Sequence, residues 1–174
     1  MTEYAVLLRG VNVGGATVRS ADLRRTLAGL PVSAVKTYLA TGNVTLSAGA
    51  QSADLKAMVE QALREEFGYE AWVVVLTLER LRELVAAVPY PADDPGMHAY
   101  VTFGSDPQLL RELSEAGSAA GAEQILLGEE AVAWPCPKGQ TPDSALFKLG
   151  SKSVYRATTT TRNLRTLQRM AGFP

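Results

Sequence analysis

The 174-residue chain is 47% hydrophobic and 20% charged, with a net charge of −1 and mean hydropathy of +0.01, the composition of a soluble globular protein with no excess of positive charge to draw nucleic acid. A single cysteine, Cys136, forbids an internal disulfide, and with a single histidine, His98, it excludes the usual zinc sets and a redundant Cys/His catalytic pair. Glu3 and Arg9 interrupt the first ten residues, so no signal core follows a basic start, and no apolar run is long enough to span a membrane; a reducing, cytoplasmic location is expected.

Residues 3–11 form a rich apolar run fit for a buried strand, and residues 20–30 place Leu23, Leu27 and Leu30 at helical spacing behind Ser20 as N-cap. Residues 34–40 and 44–48 read as strands around Thr41-Gly42-Asn43, expected to supply the positive φ angles of a tight hairpin. An amphipathic helix is predicted over 52–67, with Glu60 and Arg64 as an i,i+4 pair, then a β-branched strand over 71–76 and a connecting helix over 77–88. Residues 89–96, PYPADDPG, deny helix and strand alike and read as a linker.

The same order then recurs without sequence similarity. It runs as a strand over 97–103, a helix over 106–116, a hairpin of 123–127 and 131–134, a helix over 142–149, a strand over 154–158 and a terminal helix over 162–171. Two β-α-β-β-α-β units imply an α+β chain of two tandem ferredoxin-like sandwiches with antiparallel sheets: residues 1–76, a connecting helix and linker over 77–96, and residues 97–174 with the terminal helix. In that topology the first strand–helix loop, the central hairpin turn and the turn at 67–70 share one edge of the sheet, so Arg9 and the loop after it should neighbour residues 38–43.

Charge is unevenly spread. Residues 1–76 carry seven basic and seven acidic side chains, residues 77–151 five and eleven, and residues 152–174 five and none. The simplest reading is a basic tail packed against acidic neighbours, the next an anionic partner. No nucleotide, hydrolase or metal motif occurs. The loop Gly10-Val11-Asn12-Val13-Gly14-Gly15 lacks the spacing of a dinucleotide fingerprint, and Asp22 in the first turn of the next helix would repel a phosphate there. Arg9 and Asn12 are its groups able to touch a ligand, with Gly14 and Gly15 allowing a sharp turn, and Tyr38 and Asn43 opposite them. A second candidate is the run of threonines before Arg162, where Thr161, Arg162 and Asn163 are expected to open a helix and offer N–H groups and a guanidinium to an anion.

Taken together, LLRGVNVGG, ADLRRTL, TYLATGNV and TTTTRNLRTLQRM resemble domain-of-unknown-function family 1697, bacterial proteins of tandem ferredoxin type whose family name implies no activity. The family pattern falls on Arg9, Gly10, Asn12, Gly14 and Gly15, on Gly42 and Asn43, and on Thr160, Thr161, Arg162, Asn163 and Thr166; the sequence departs from it at Leu164, where an aromatic is usual, and at Ser144-Ala145, where Ser-Lys is. The expected function is binding of a small anionic or nucleotide-like ligand without metal or cofactor. The alternatives are a metal-independent enzyme acting on such a ligand through Asn43 or His98, and a nucleic-acid binder using the basic terminal helix, although the first sheet lacks the aromatic residues on which bases stack.

Overall fold

The computed structural model describes residues 1–10, 17–39 and 42–174. Its contacts divide the chain into two compact units, Met1–Arg82 with Arg169–Pro174, and Glu83–Gln168.

The first unit is built from β1 (Thr2–Arg9), α1 (Ser20–Ala28), β2 (Val32–Thr37), β3 (Asn43–Ala48), α2 (Ser52–Phe67) and β4 (Trp72–Thr77). Its strands lie in the order β2-β3-β1-β4, and every neighbouring pair is antiparallel. Tyr4, Val6 and Leu8 alternate along β1 and meet Val44, Leu46 and Ala48 of β3 on the face that packs against Leu23 and Leu27 of α1 and Leu55, Val59 and Leu63 of α2. The strand period of two and the helix period near four thus converge on one aliphatic core. Residues 4–8 are all buried, which is why β1 reads as an unbroken apolar run.

A buried carboxylate ties α2 to the sheet. Glu60 accepts from the backbone N–H of Val73 at 3.0 Å and is flanked by Lys56 and, at 3.6 Å, by Arg64; Lys56 also reaches the Val73 carbonyl at 2.8 Å. Paired in this way, the charge is compensated where it leaves water. The helix stops at Gly68, whose φ of 65° is left-handed and whose N–H returns to the Arg64 carbonyl at 2.9 Å.

After α3 (Leu78–Ala87), the second unit runs through β5 (Met97–Gly104), α4 (Pro107–Ala119), β6 (Ile125–Leu127), β7 (Ala131–Pro137), a 3-10 turn (Thr141–Asp143), α5 (Ala145–Gly150), α6 (Ser153–Arg156) and β8 (Thr159–Asn163), into α7 (Leu164–Ala171). Its strand order, β6-β7-β5-β8, repeats that of the first sheet and is again antiparallel throughout. The core is more aromatic: Trp134, Tyr155 and Cys136 are buried with Leu110, Leu113, Val132 and Leu146, and the Tyr100 ring lies 4.9 Å from that of Trp134. Gly117 lets α4 and α5 meet, since a Cβ there would lie 2.6 Å from Leu146 Cδ2. Each unit is a ferredoxin-like α+β sandwich, the second with its second helix broken into short pieces.

Several sequence expectations are corrected. Ser20 begins α1 instead of capping it; Arg19 holds the cap position with no side-chain bond. In the hairpin, Gly42 has φ 88° and Leu39 φ 50°, whereas Asn43 already belongs to β3; Thr41 lies outside the described residues. The largest difference falls between 153 and 163. Val154 and Tyr155 read locally as strand, yet Ser153–Arg156 is helical and buries Tyr155, and the strand is Thr159–Asn163, whose β-branched residues pair with β5. The terminal helix accordingly begins at Leu164 and not at Arg162.

Candidate functional site

At the loop end of the first sheet the register sets the distant polar residues side by side. Leu7 pairs with Asn43 and Arg9 with Trp72, while the Leu8 N–H donates to the Gly42 carbonyl at 2.8 Å. Arg9, the 42–43 turn and the chain before Trp72 therefore meet at one edge, as the topology implied. Asn12, Gly14 and Gly15 lie outside the described residues. Asn43 closes the hairpin: its carbonyl accepts from the Tyr38 N–H at 2.9 Å and its side-chain amide donates to the Tyr38 carbonyl at 3.3 Å. Buried and bonded across the turn, it frames the site.

Two features of this edge run against local stability. Leu39 holds φ at 50° with its side chain 55% exposed, a left-handed, apolar, solvent-facing residue of the kind found where function outweighs packing. Tyr69 packs beside Gly10, where a Cβ would lie 3.8 Å from the tyrosine Cε2, and its hydroxyl is buried with no hydrogen-bond partner among the described residues. Burial also raises the Tyr69 pKa above that of an ordinary phenol, so the group stays protonated and able to donate.

Tyr38 faces elsewhere with its side chain. Its hydroxyl shares a hydrogen bond with Thr45 at 3.2 Å, and both residues line a recess of about 200 Å³ bordered by Lys36, Arg82 and Arg169. Sequence reasoning missed these three cations because they lie far apart along the chain; the only signal was the wholly basic tail, to which Arg169 belongs.

In the second unit the expected anion site is not formed as a helix N-terminus, because Thr161 and Arg162 stand on β8. Thr161 and Thr102 share a hydrogen bond at 2.8 Å, and the Trp134 indole donates to Thr102 at 3.0 Å, so this threonine serves an interior network. Arg162 donates to the Thr160 hydroxyl at 2.5 Å and the Thr161 carbonyl at 3.0 Å. Asn163 accepts from the Arg165 N–H at 2.9 Å at the start of α7, and its amide nitrogen stands 3.5 Å from His98 Nδ1.

His98 is in register with Cys136 across the β5–β7 pair, but the thiol is buried and turned toward the Pro137 carbonyl, 3.5 Å away. A cleft of about 360 Å³ opens above Trp134, Cys136 and Leu146, with Glu123 and Asp143 as its only charged lining residues, which disfavours an anion there. Among the described residues no group of three His, Cys, Asp or Glu side chains is arranged to hold a metal, and no helix is long and apolar enough to cross a membrane.

A strand–loop–helix edge rich in glycine and framed by arginine and asparagine, set on a doubled ferredoxin-like plan, defines a class by architecture alone. The chain belongs to the family described as "Protein of unknown function (DUF1697)", whose model matches residues 1–132; the Thr161–Asn163 segment lies beyond that match. Among solved structures it is similar to the conserved bacterial protein SP0830 from Streptococcus pneumoniae, with a TM-score of 0.76 and 23% identity over 98% of this chain and 97% of that one, a likeness of fold. No curated protein matches the chain.

Proposed function

We propose that the first unit binds a small anionic or nucleotide-like ligand at the loop end of its sheet. Arg9 supplies charge, Tyr69 a hydrogen-bond donor and Gly10 a backbone with no Cβ in the way, while Tyr38 and Asn43 hold the facing turn. Asn12, Gly14 and Gly15 join the proposal by their position between Gly10 and α1. Thr161, Arg162 and Asn163 are left out, since their polar groups are engaged within the second unit.

The observation that supports this reading is the Tyr69 hydroxyl, buried and without an acceptor among the described residues. A buried O–H that bonds to nothing costs about 1–3 kcal/mol, and a ligand oxygen that accepts from it removes that cost. An anionic oxygen is the strongest acceptor available, and a guanidinium at the same edge favours it over a neutral carbonyl. The exposed, left-handed Leu39 offers an apolar surface beside the turn for the uncharged part of such a ligand.

Calorimetry and thermal-shift measurements with phosphate, pyrophosphate, AMP and ATP test the proposal. Saturable binding is expected, weakened about tenfold by Arg9→Ala and severalfold by Tyr69→Phe. Absence of binding by all four, or unchanged affinity in both variants, overturns it.

A further inference from the structure

The first unit contains a second polar concavity that the loop-end site does not use. It begins with an irregularity in β2. The pairing of β2 with β3 shifts between Ser33 and Lys36, and Ala34 within the shift has φ 52°, so an extra residue is accommodated and the side chains beyond it are re-aimed. After the bulge Lys36 stands opposite Thr45, and Tyr38, two residues on, reaches the same threonine with its hydroxyl. Thr45 and Ser47 alternate with Val44, Leu46 and Ala48, which pack against α1 and α2, so this row occupies the sheet face away from those helices.

Arg82 and Arg169 complete the recess. Arg82 Nε donates to the Ala171 carbonyl at 3.0 Å, which fixes the guanidinium against the last turn of α7. Among the described residues neither Lys36 nor Arg169 makes an ion pair, and Glu3 is the only carboxylate lining the recess, opposed by three cations. Like charges converging on a concave surface repel one another and raise the local concentration of anions. Three hydroxyls, on Tyr38, Thr45 and Ser47, add donors that can turn toward an incoming oxygen.

We propose that this recess is a binding site for a small polyanion bearing phosphoryl groups, held by Lys36, Arg82 and Arg169 and oriented by the Tyr38, Thr45 and Ser47 hydroxyls. Size limits the class. At about 200 Å³ the recess is smaller than the roughly 300–1,000 Å³ of pockets that enclose drug-sized ligands, so it takes a pyrophosphate or a phosphorylated short-chain metabolite and not an entire nucleotide. The guanidinium fork of Arg82, anchored at one nitrogen, presents its remaining donors in a plane suited to two oxygens of one phosphoryl group.

The test is titration of the full chain with pyrophosphate, followed by calorimetry and by backbone amide shifts in NMR spectra, with sodium chloride at matched ionic strength and citrate as controls. Saturable binding of pyrophosphate with shifts at Tyr38, Thr45 and Ser47 is expected. Lys36→Gln and Arg169→Gln, both exposed positions, should each weaken it about tenfold, and Lys36→Arg should restore most of the loss. Arg9→Ala and Tyr69→Phe, which weaken binding at the loop end, should leave the pyrophosphate-induced shifts at Tyr38, Thr45 and Ser47 and their titration midpoint unchanged, which separates the recess from the loop-end site. Three outcomes overturn the proposal: no saturable binding, citrate binding tighter than pyrophosphate, or loss of pyrophosphate binding in the Arg9 and Tyr69 variants with Lys36→Gln unaffected. The last would favour the loop end alone.

Discussion

Tyr4 and Tyr100 occupy matching places in the two units. Each stands on the strand that opens its unit and faces the third strand, with Leu46 or Trp134 as cross-strand partner, and each sends its hydroxyl to the segment that leaves that strand, to the Ala50 carbonyl at 2.9 Å or the Thr141 hydroxyl at 3.0 Å. Around this shared pin the units diverge. The first follows it with the single 16-residue α2, lays it over an aliphatic core and keeps Asn43, Thr45 and Ser47 along the other side of β3. The second follows it with three short helical pieces and fills the space with Trp134 and Tyr155, turning its own strand threonines toward an indole. The same plan thus yields one unit whose polar groups line a recess and another whose polar groups satisfy its interior. Strand order alone therefore does not decide what the polar groups of the third strand face.

Three substitutions probe that contrast in stability, beginning with the largest effect. Trp134→Ala removes the centre of the aromatic core and the donor to Thr102, and should cost about 3–5 kcal/mol in urea unfolding of the second unit. A loss well below that range would mean that the second unit does not depend on its aromatic packing as the first depends on aliphatic packing. Gly117→Ala drives a methyl into Leu146 at the α4–α5 contact, and a loss of about 1–3 kcal/mol is expected in the same assay. No change there would show that the broken helix yields freely, where the continuous α2 would not.

The smallest effect has the opposite sign. Tyr69→Phe deletes a buried hydroxyl that has no partner among the described residues, so stability of the free protein should stay level or rise by up to about 1 kcal/mol by thermal melting, even as ligand binding at the loop end weakens. A clear destabilisation would mean that the hydroxyl is already satisfied, and it would remove the main support for that site.

Much of the fold was legible along the chain. The helix Ser52–Phe67 matches its predicted span to the residue, because a long amphipathic repeat ending at glycine carries its own boundaries. β1 was recognised from its apolar run to within two residues of either end, and the hairpin from its glycine. The stretch from 153 to 163 was not legible. There, Val154 and Tyr155 have strand propensity but are drawn into a helical turn by the burial of Tyr155, and the threonines that read as a helix start are taken up by pairing with β5. Local preference, worth a few tenths of a kilocalorie per residue, yields to the burial of a whole aromatic side chain, worth about 1.5–3 kcal/mol.

For the candidate sites the division is similar. The sequence by itself determined the order of elements, and that order placed Arg9 and Asn43 at one edge, since antiparallel pairing leaves a chain of this connectivity few alternatives. Only the tertiary structure decided that Lys36, Arg82 and Arg169 would border one recess, that the Tyr69 hydroxyl would be buried with no acceptor among the described residues, and that Thr161 would turn toward Thr102. The physical reason is range. Periodicity along a segment encodes which side chains share a face, but the bulge that re-aims a strand and the packing that brings distant faces together answer to contacts between residues that no local pattern records.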